Sequence, residues 1–123
     1  MDIKDLTEQQ QQAFLDLAML AMYADGHLTT VEDERVRRLL GTMGCTSDYD
    51  CNKQYDASVS RVSRHSQTRE ASCIHAATLA KSFTTHEQRR RVLEIMAELI
   101  ASDSHITLQE GNLLSVVREA LQL

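Results

Sequence analysis

The chain has 123 residues, a formal net charge of -5, no proline, four glycines and only 4% aromatic residues. That length suits one domain with a full core, spanning residues 1–123, and the missing proline and sparse aromatics favour helices over a sheet. The acidic balance argues against nucleic acid and anionic membrane surfaces as main partners.

Three cysteines, Cys45, Cys51 and Cys73, form an odd set without Cys-x-x-Cys spacing. Free thiols in a reducing, cytoplasmic compartment are the expectation. Residues 1–12 are polar, so no signal peptide is expected there. The apolar runs further on are too short for direct membrane insertion.

The first helix is expected over residues 7–24. Thr7-x-x-Gln10 has the form of a capping box, in which hydroxyl and amide satisfy backbone N–H groups reciprocally. From Ala13 to Ala24 the sequence AFLDLAMLAMYA is apolar except for Asp16, which marks a central helix. Asp25-Gly26 ends it, and Thr29 with Glu32 caps a second helix over 30–43. Val36, Leu39, Leu40 and Met43 form its apolar stripe, with Arg35, Arg37 and Arg38 around it and Gly41 and Gly44 closing it.

A polar connector then leads into a third helix from Ser47 or Asp48 to about His65. Cys51, Tyr55, Val59 and Val62 are its thin apolar side. A fourth helix runs from about Thr68 to Lys81 with Cys73, Ala76, Ala77, Ala80 and Phe83 on one face; Cys73 reads as a small buried hydrophobe. Thr84-x-x-Glu87 has capping-box form and opens a fifth helix over 85–102, solvated along Glu94 and Glu98. Thr107-x-x-Glu110 caps a sixth over 107–121, whose buried side is Leu113, Leu114, Val117 and Leu121.

The two ends of the chain repeat each other. At an offset of 78 positions Asp25 falls on Asp103, His27 on His105, Thr29 on Thr107 and Glu32 on Glu110, with Leu28 matched by Ile106. The pattern D-x-H-[LI]-T-x-x-E follows an apolar helix both times. The fold class expected is all-α, with a pseudo-twofold four-helix core of two related hairpins and additional helices between them.

Ala24-Asp25-Gly26-His27-Leu28 with Glu32, and Ser102-Asp103-Ser104-His105-Ile106 with Glu110, resemble the turns of the tellurite-resistance protein TerB family. Ser104 stands where that pattern has a glycine. The resemblance implies a compact helical domain, a link to tellurite or other chemical stress, and a proposed divalent-metal site.

Asp25, Glu32, Asp103 and Glu110 are the candidate metal ligands, since carboxylate oxygens suit hard cations such as Ca²⁺, Mg²⁺ or Mn²⁺. His27 and His105 are further candidates and would extend the choice to Zn²⁺. A normal EF-hand is excluded, because Ala21 and Tyr23 occupy its first and third ligand positions. The bland reading of the same residues is capping: Glu32 and Glu110 complete capping boxes worth about 1 kcal/mol. Cys73-x-His75 has the wrong spacing for a zinc module, and the arginine runs at 35–38 and 89–91 read first as solvated helix faces.

The function expected is a non-catalytic stress-response module that binds a divalent cation or docks on other stress-response proteins. A protein-interaction scaffold without metal is the alternative. A hydrolytic enzyme using the Asp and His pairs is a third reading, opposed by the lack of a nucleophile–base motif or phosphate loop.

Overall fold

A computed structural model describes residues 5–22, 30–45, 47–65, 67–101 and 108–122. Six helices follow one another: α1 (Glu8–Met22), α2 (Thr30–Thr42), α3 (Asp48–His65), α4 (Arg69–Ala80), α5 (His86–Ala101) and α6 (Leu108–Ala120). Among the described residues there is no strand, and the expected all-α class holds.

Helix α1 is the axle. Every residue from Ala13 to Ala21 is buried, Asp16 included, because the helix packs against each of the other five. The surrounding helices bury one stripe each: Val36, Leu39 and Leu40 on α2, Val92, Met96 and Ile100 on α5, Leu113 and Val117 on α6. Phe14 meets Phe83 edge-on, with ring centroids 6.4 Å apart at 86°, the arrangement that sets a positive ring edge against a negative face.

The caps explain why the helices start where they do. The Thr7 hydroxyl accepts from the Gln10 N–H and the Gln10 side chain accepts from the Thr7 N–H, both at 3.1 Å. On α5 the box lies one residue later than Thr84/Glu87. Thr85 Oγ1 accepts from the Gln88 N–H at 3.1 Å, and Gln88 Oε1 accepts from the Thr85 N–H at 3.3 Å. Two adjacent threonines each had an acid or amide three residues on. The winning register leaves Phe83 fully buried and turns Gln88 toward Gln10. Thr68 caps α4 through the Ala71 N–H. Thr29 and Thr107, the caps expected for α2 and α6, lie outside the described residues.

Helix α2 ends in a Schellman motif. Gly44 has φ 96°, its N–H donates to the Gly41 carbonyl, and the Cys45 N–H donates back to Leu40. Gly41 itself lies inside the helix, so only Gly44 closes it. Helix α6 ends alike, with Gln122 at φ 61° and its N–H on the Glu119 carbonyl.

Cys45 and Cys51 form a disulfide across the α2–α3 connector, with Cα atoms 5.7 Å apart. This corrects the expectation of three free thiols. The closed end of α2 and the first turn of α3 approach within disulfide reach, which spacing along the chain does not reveal. Cys73 remains free and is half-buried rather than buried.

Arg37 then fastens α3 to α2. Its guanidinium lies 4.4 Å from the Tyr55 ring centroid, donates to Asn52 at 2.6 Å and pairs with Asp33 at 3.0 Å. Burial, with Asp33 beside the hydroxyl, pushes the Tyr55 phenol up to about 12. The hydrogen bond from Tyr55 holds the Asp33 carboxyl below its usual value.

Candidate functional site

The described residues carry two of the six candidate ligands. Glu32 is the third residue of α2 and half-buried; Glu110 is the third residue of α6. Both backbones therefore stand in the first helical turn, at matching register, where capping-box acids belong. Asp25, His27, Asp103 and His105 lie outside the described residues. Among the described residues no three His, Cys, Asp or Glu side chains are grouped to hold a metal ion.

A polar centre absent from the sequence-based candidates sits beneath α3 and α4. The Asp16 carboxylate, on the innermost helix, accepts from Ser58 Oγ at 2.6 Å and from Arg61 Nε and Nη2 at 2.8 and 2.9 Å. Its side chain is 4% exposed, whereas that of Arg61 is 32% exposed. The guanidinium thus reaches in from the surface and carries solvent-facing charge down to a buried acid. Ser58 and Arg61, three apart on α3, share the face that meets α1. The available clue was a lone acid in an otherwise apolar run, with a Ser-x-x-Arg pair on a thinly apolar helix.

Next to it His75 of α4 stacks on His65, the last residue of α3, with centroids 3.9 Å apart and rings 17° from parallel. Burial holds the His75 imidazole below its usual value, the His65 ring adds to that, Asp16 opposes it, and Arg61 lowers it further. The buried Nε2 of His75 has no hydrogen-bond partner among the described residues. With three donors already on Asp16, and His75 stacked on His65, this centre clamps α1, α3 and α4 together.

Clefts open on the surface of the described residues. One, of about 550 Å³, lies between α1, the Cys45 end of α2 and α3; it mixes Glu8 and Asp50 with Lys53 and Arg61. Another, of about 440 Å³, lies between α2 and α5, with Leu39, Ile95 and Leu99 among its walls and Arg35, Arg38 and Arg91 around them. Arg35 spans it, Nη1 donating to the Leu99 carbonyl at 3.5 Å. Arg35 and Arg38 of α2, which read as part of a solvated face, are thus gathered on one groove and joined by Arg91 of the basic triplet, while Arg37 turns to α3.

No helix among the described residues is long and apolar enough to cross a membrane. No curated protein and no solved structure matches the chain. The family model described as tellurite resistance protein TerB matches residues 11–123, which takes in all but the first three residues of the six helices, and the chain belongs to that family.

Proposed function

We propose that this member of the tellurite-resistance family works by binding rather than by catalysis, with a divalent cation held at the acidic turns and other stress-response proteins as partners. The observation that carries it is the family match along almost the whole chain. The duplication of hairpins α1–α2 and α5–α6 belongs to the same proposal. It is supported by helix starts at residues 8 and 86 and at 30 and 108, and by left-handed residues at 44 and 122. Asp25 and Asp103 with Glu32 and Glu110 are the ligands proposed, and His27 and His105 the auxiliary ones. Carboxylate oxygens in that number fit a hard cation, and the matched registers of Glu32 and Glu110 give both copies the same offer.

Native mass spectrometry during titration with Ca²⁺, Mg²⁺, Mn²⁺ and Zn²⁺ tests this. The wild-type protein is expected to take up one of these ions and gain thermal stability. Asp25→Asn with Asp103→Asn should abolish both effects while leaving the metal-free melting temperature unchanged. Strong destabilisation of the metal-free double mutant would make the aspartates structural caps.

A cytoplasmic setting is also proposed, and the Cys45–Cys51 bond is its counterweight, since structural disulfides are rare there. Alkylating thiols in intact cells before lysis decides between them: three labelled cysteines support the setting, one labelled cysteine refutes it.

A further inference from the structure

The groove between α2 and α5 has a counterpart elsewhere in the fold. Shifted by 78 positions, α5 corresponds to α1 and α2 to α6, and the groove between α1 and α6 is covered by α4, which packs on both. Helix α4 carries buried Ala76 and Ala80, with buried Phe83 just beyond its end. No helix among the described residues covers the groove between α2 and α5. Leu39, Ile95 and Leu99 form apolar wall in it, and Val31 stands 50% exposed at one end.

The two grooves differ in charge. Where the covered one has Ala13, Leu113 and Val116, the open one has Arg91, Arg35 and Arg38. Arg91 leans on exposed Glu94 at 3.4 Å, and Arg38 makes no ion pair among the described residues. Glu34 and Glu98 also line the groove, so its lining carries three guanidiniums to two carboxylates. Arg91 is already engaged by Glu94 outside the lining, and Arg38 is a guanidinium left without an acid among the described residues, in a chain that is acidic as a whole. An occupant supplying only apolar side chains would bury guanidiniums without partners, which is costly. One that brings acids beside an apolar stripe satisfies both the walls and the rim.

We propose that the α2/α5 groove receives an amphipathic helix of a partner protein, its apolar stripe lying along Leu39, Ile95 and Leu99 and its flanking acids meeting Arg35, Arg38 and Arg91. The equivalence of the two grooves rests on the duplication proposed above; the open apolar wall and its arginines do not.

The probe is a synthetic helical peptide of about 18 residues with leucines at i, i+4, i+7 and i+11 and glutamates beside them. A twin carries lysine for each glutamate. Both are titrated into the full ¹⁵N-labelled chain in excess EDTA, so the outcome is independent of metal binding. The acidic peptide should shift amides of α2 and α5, and the lysine twin should not bind. Arg38→Glu with Arg91→Glu should weaken the acidic peptide about tenfold or more and admit the lysine twin. Arg38→Ala, which disturbs no ion pair seen here, should weaken the acidic peptide in the same direction. No binding of the acidic peptide, equal binding of both peptides, or shifts centred on the α1–α3 cleft would overturn the proposal. So would sedimentation showing a dimer that Arg38→Glu with Arg91→Glu dissolves, because the groove would then belong to a second copy of the chain.

Discussion

Gln10 and Gln88, 78 residues apart, face each other with their side-chain amides exchanged: Gln10 Nε2 donates to Gln88 Oε1 at 3.2 Å and Gln88 Nε2 donates back to Gln10 Oε1 at 3.4 Å. Each also closes the capping box of its own helix, and Gln10 donates further to the Ser82 carbonyl at 3.0 Å. Two caps are thereby fused into one network at the joint between the hairpins. Such a network is worth more than separate deletions reveal. In a double-mutant cycle, Gln10→Ala and Gln88→Ala should each cost about 1–2 kcal/mol. Their coupling should be about 0.5–3 kcal/mol by denaturant unfolding. Additive losses would mean the amides merely lie close.

Removing the Asp16 carboxylate should be among the costliest polar substitutions. Asp16→Ala leaves the Ser58 hydroxyl buried and Arg61 without its acid, at an expected cost of about 3 kcal/mol. The partial exposure of Arg61, which can turn to solvent, keeps this at the low end. Replacing the whole cluster, Asp16→Leu with Ser58→Ala and Arg61→Met, should recover most of the loss, since a packed apolar substitute avoids desolvating charge. Urea unfolding of the wild type, Asp16→Ala and the triple mutant checks the order; a triple mutant as weak as Asp16→Ala would show that the ion pair contributes more than its burial costs.

His75 should make stability fall with acid. Its folded pKa lies below the ordinary 6.5, so the unfolded chain takes up the proton first. The contribution is whole above about pH 6.5 and is lost as pH falls from there through the lower folded value. His75→Gln removes the titrating ring. Comparing melting temperatures between about pH 7.5 and pH 5, the wild type should lose more than His75→Gln. Parallel curves would assign the acid sensitivity to other groups.

The two left-handed residues should respond in opposite senses. Gly44→Ala places a side chain at φ 96°, where it meets no neighbour within 4 Å. The cost is therefore purely of the backbone, about 1–2 kcal/mol. At Gln122, already left-handed at φ 61°, Gln122→Gly relieves the same strain and should stabilise by up to about 1 kcal/mol after the added chain entropy. Thermal melting of the two single mutants is sufficient; loss of stability in both would mean that the Gln122 side chain holds α6 in place.

Helix positions were legible because their signals are local. Apolar periodicity located all six helices, the Thr7 cap marked the start of α1, and α3 runs from Asp48 to the expected His65. The α5 cap slipped by one residue because Thr84 and Thr85 both satisfy the local rule, and only the contact with Gln10 separates them. Asp16 was visible as an oddity in an apolar run, but its partners lie 42 and 45 residues away, and no local rule reaches that far. The same holds for the arginine groove: Arg35 and Arg38 look like a wet surface until α5 brings Arg91 opposite them. The Cys45–Cys51 bond was missed for another reason, since an odd cysteine count was read as a statement about every cysteine.

The central place of α1 also sets a problem of order. It precedes the five helices that bury it, so during synthesis at roughly 5–20 residues per second its apolar surface waits for them. Hairpin α1–α2 can cover one side early, but the side facing α6 stays open until that last helix is made. The nascent chain must therefore carry an unsatisfied Ala13–Ala21 segment through most of its emergence. A chaperone that meets this protein on the ribosome would find its binding sequence there, and the buried Asp16 would be the one charge that interrupts it.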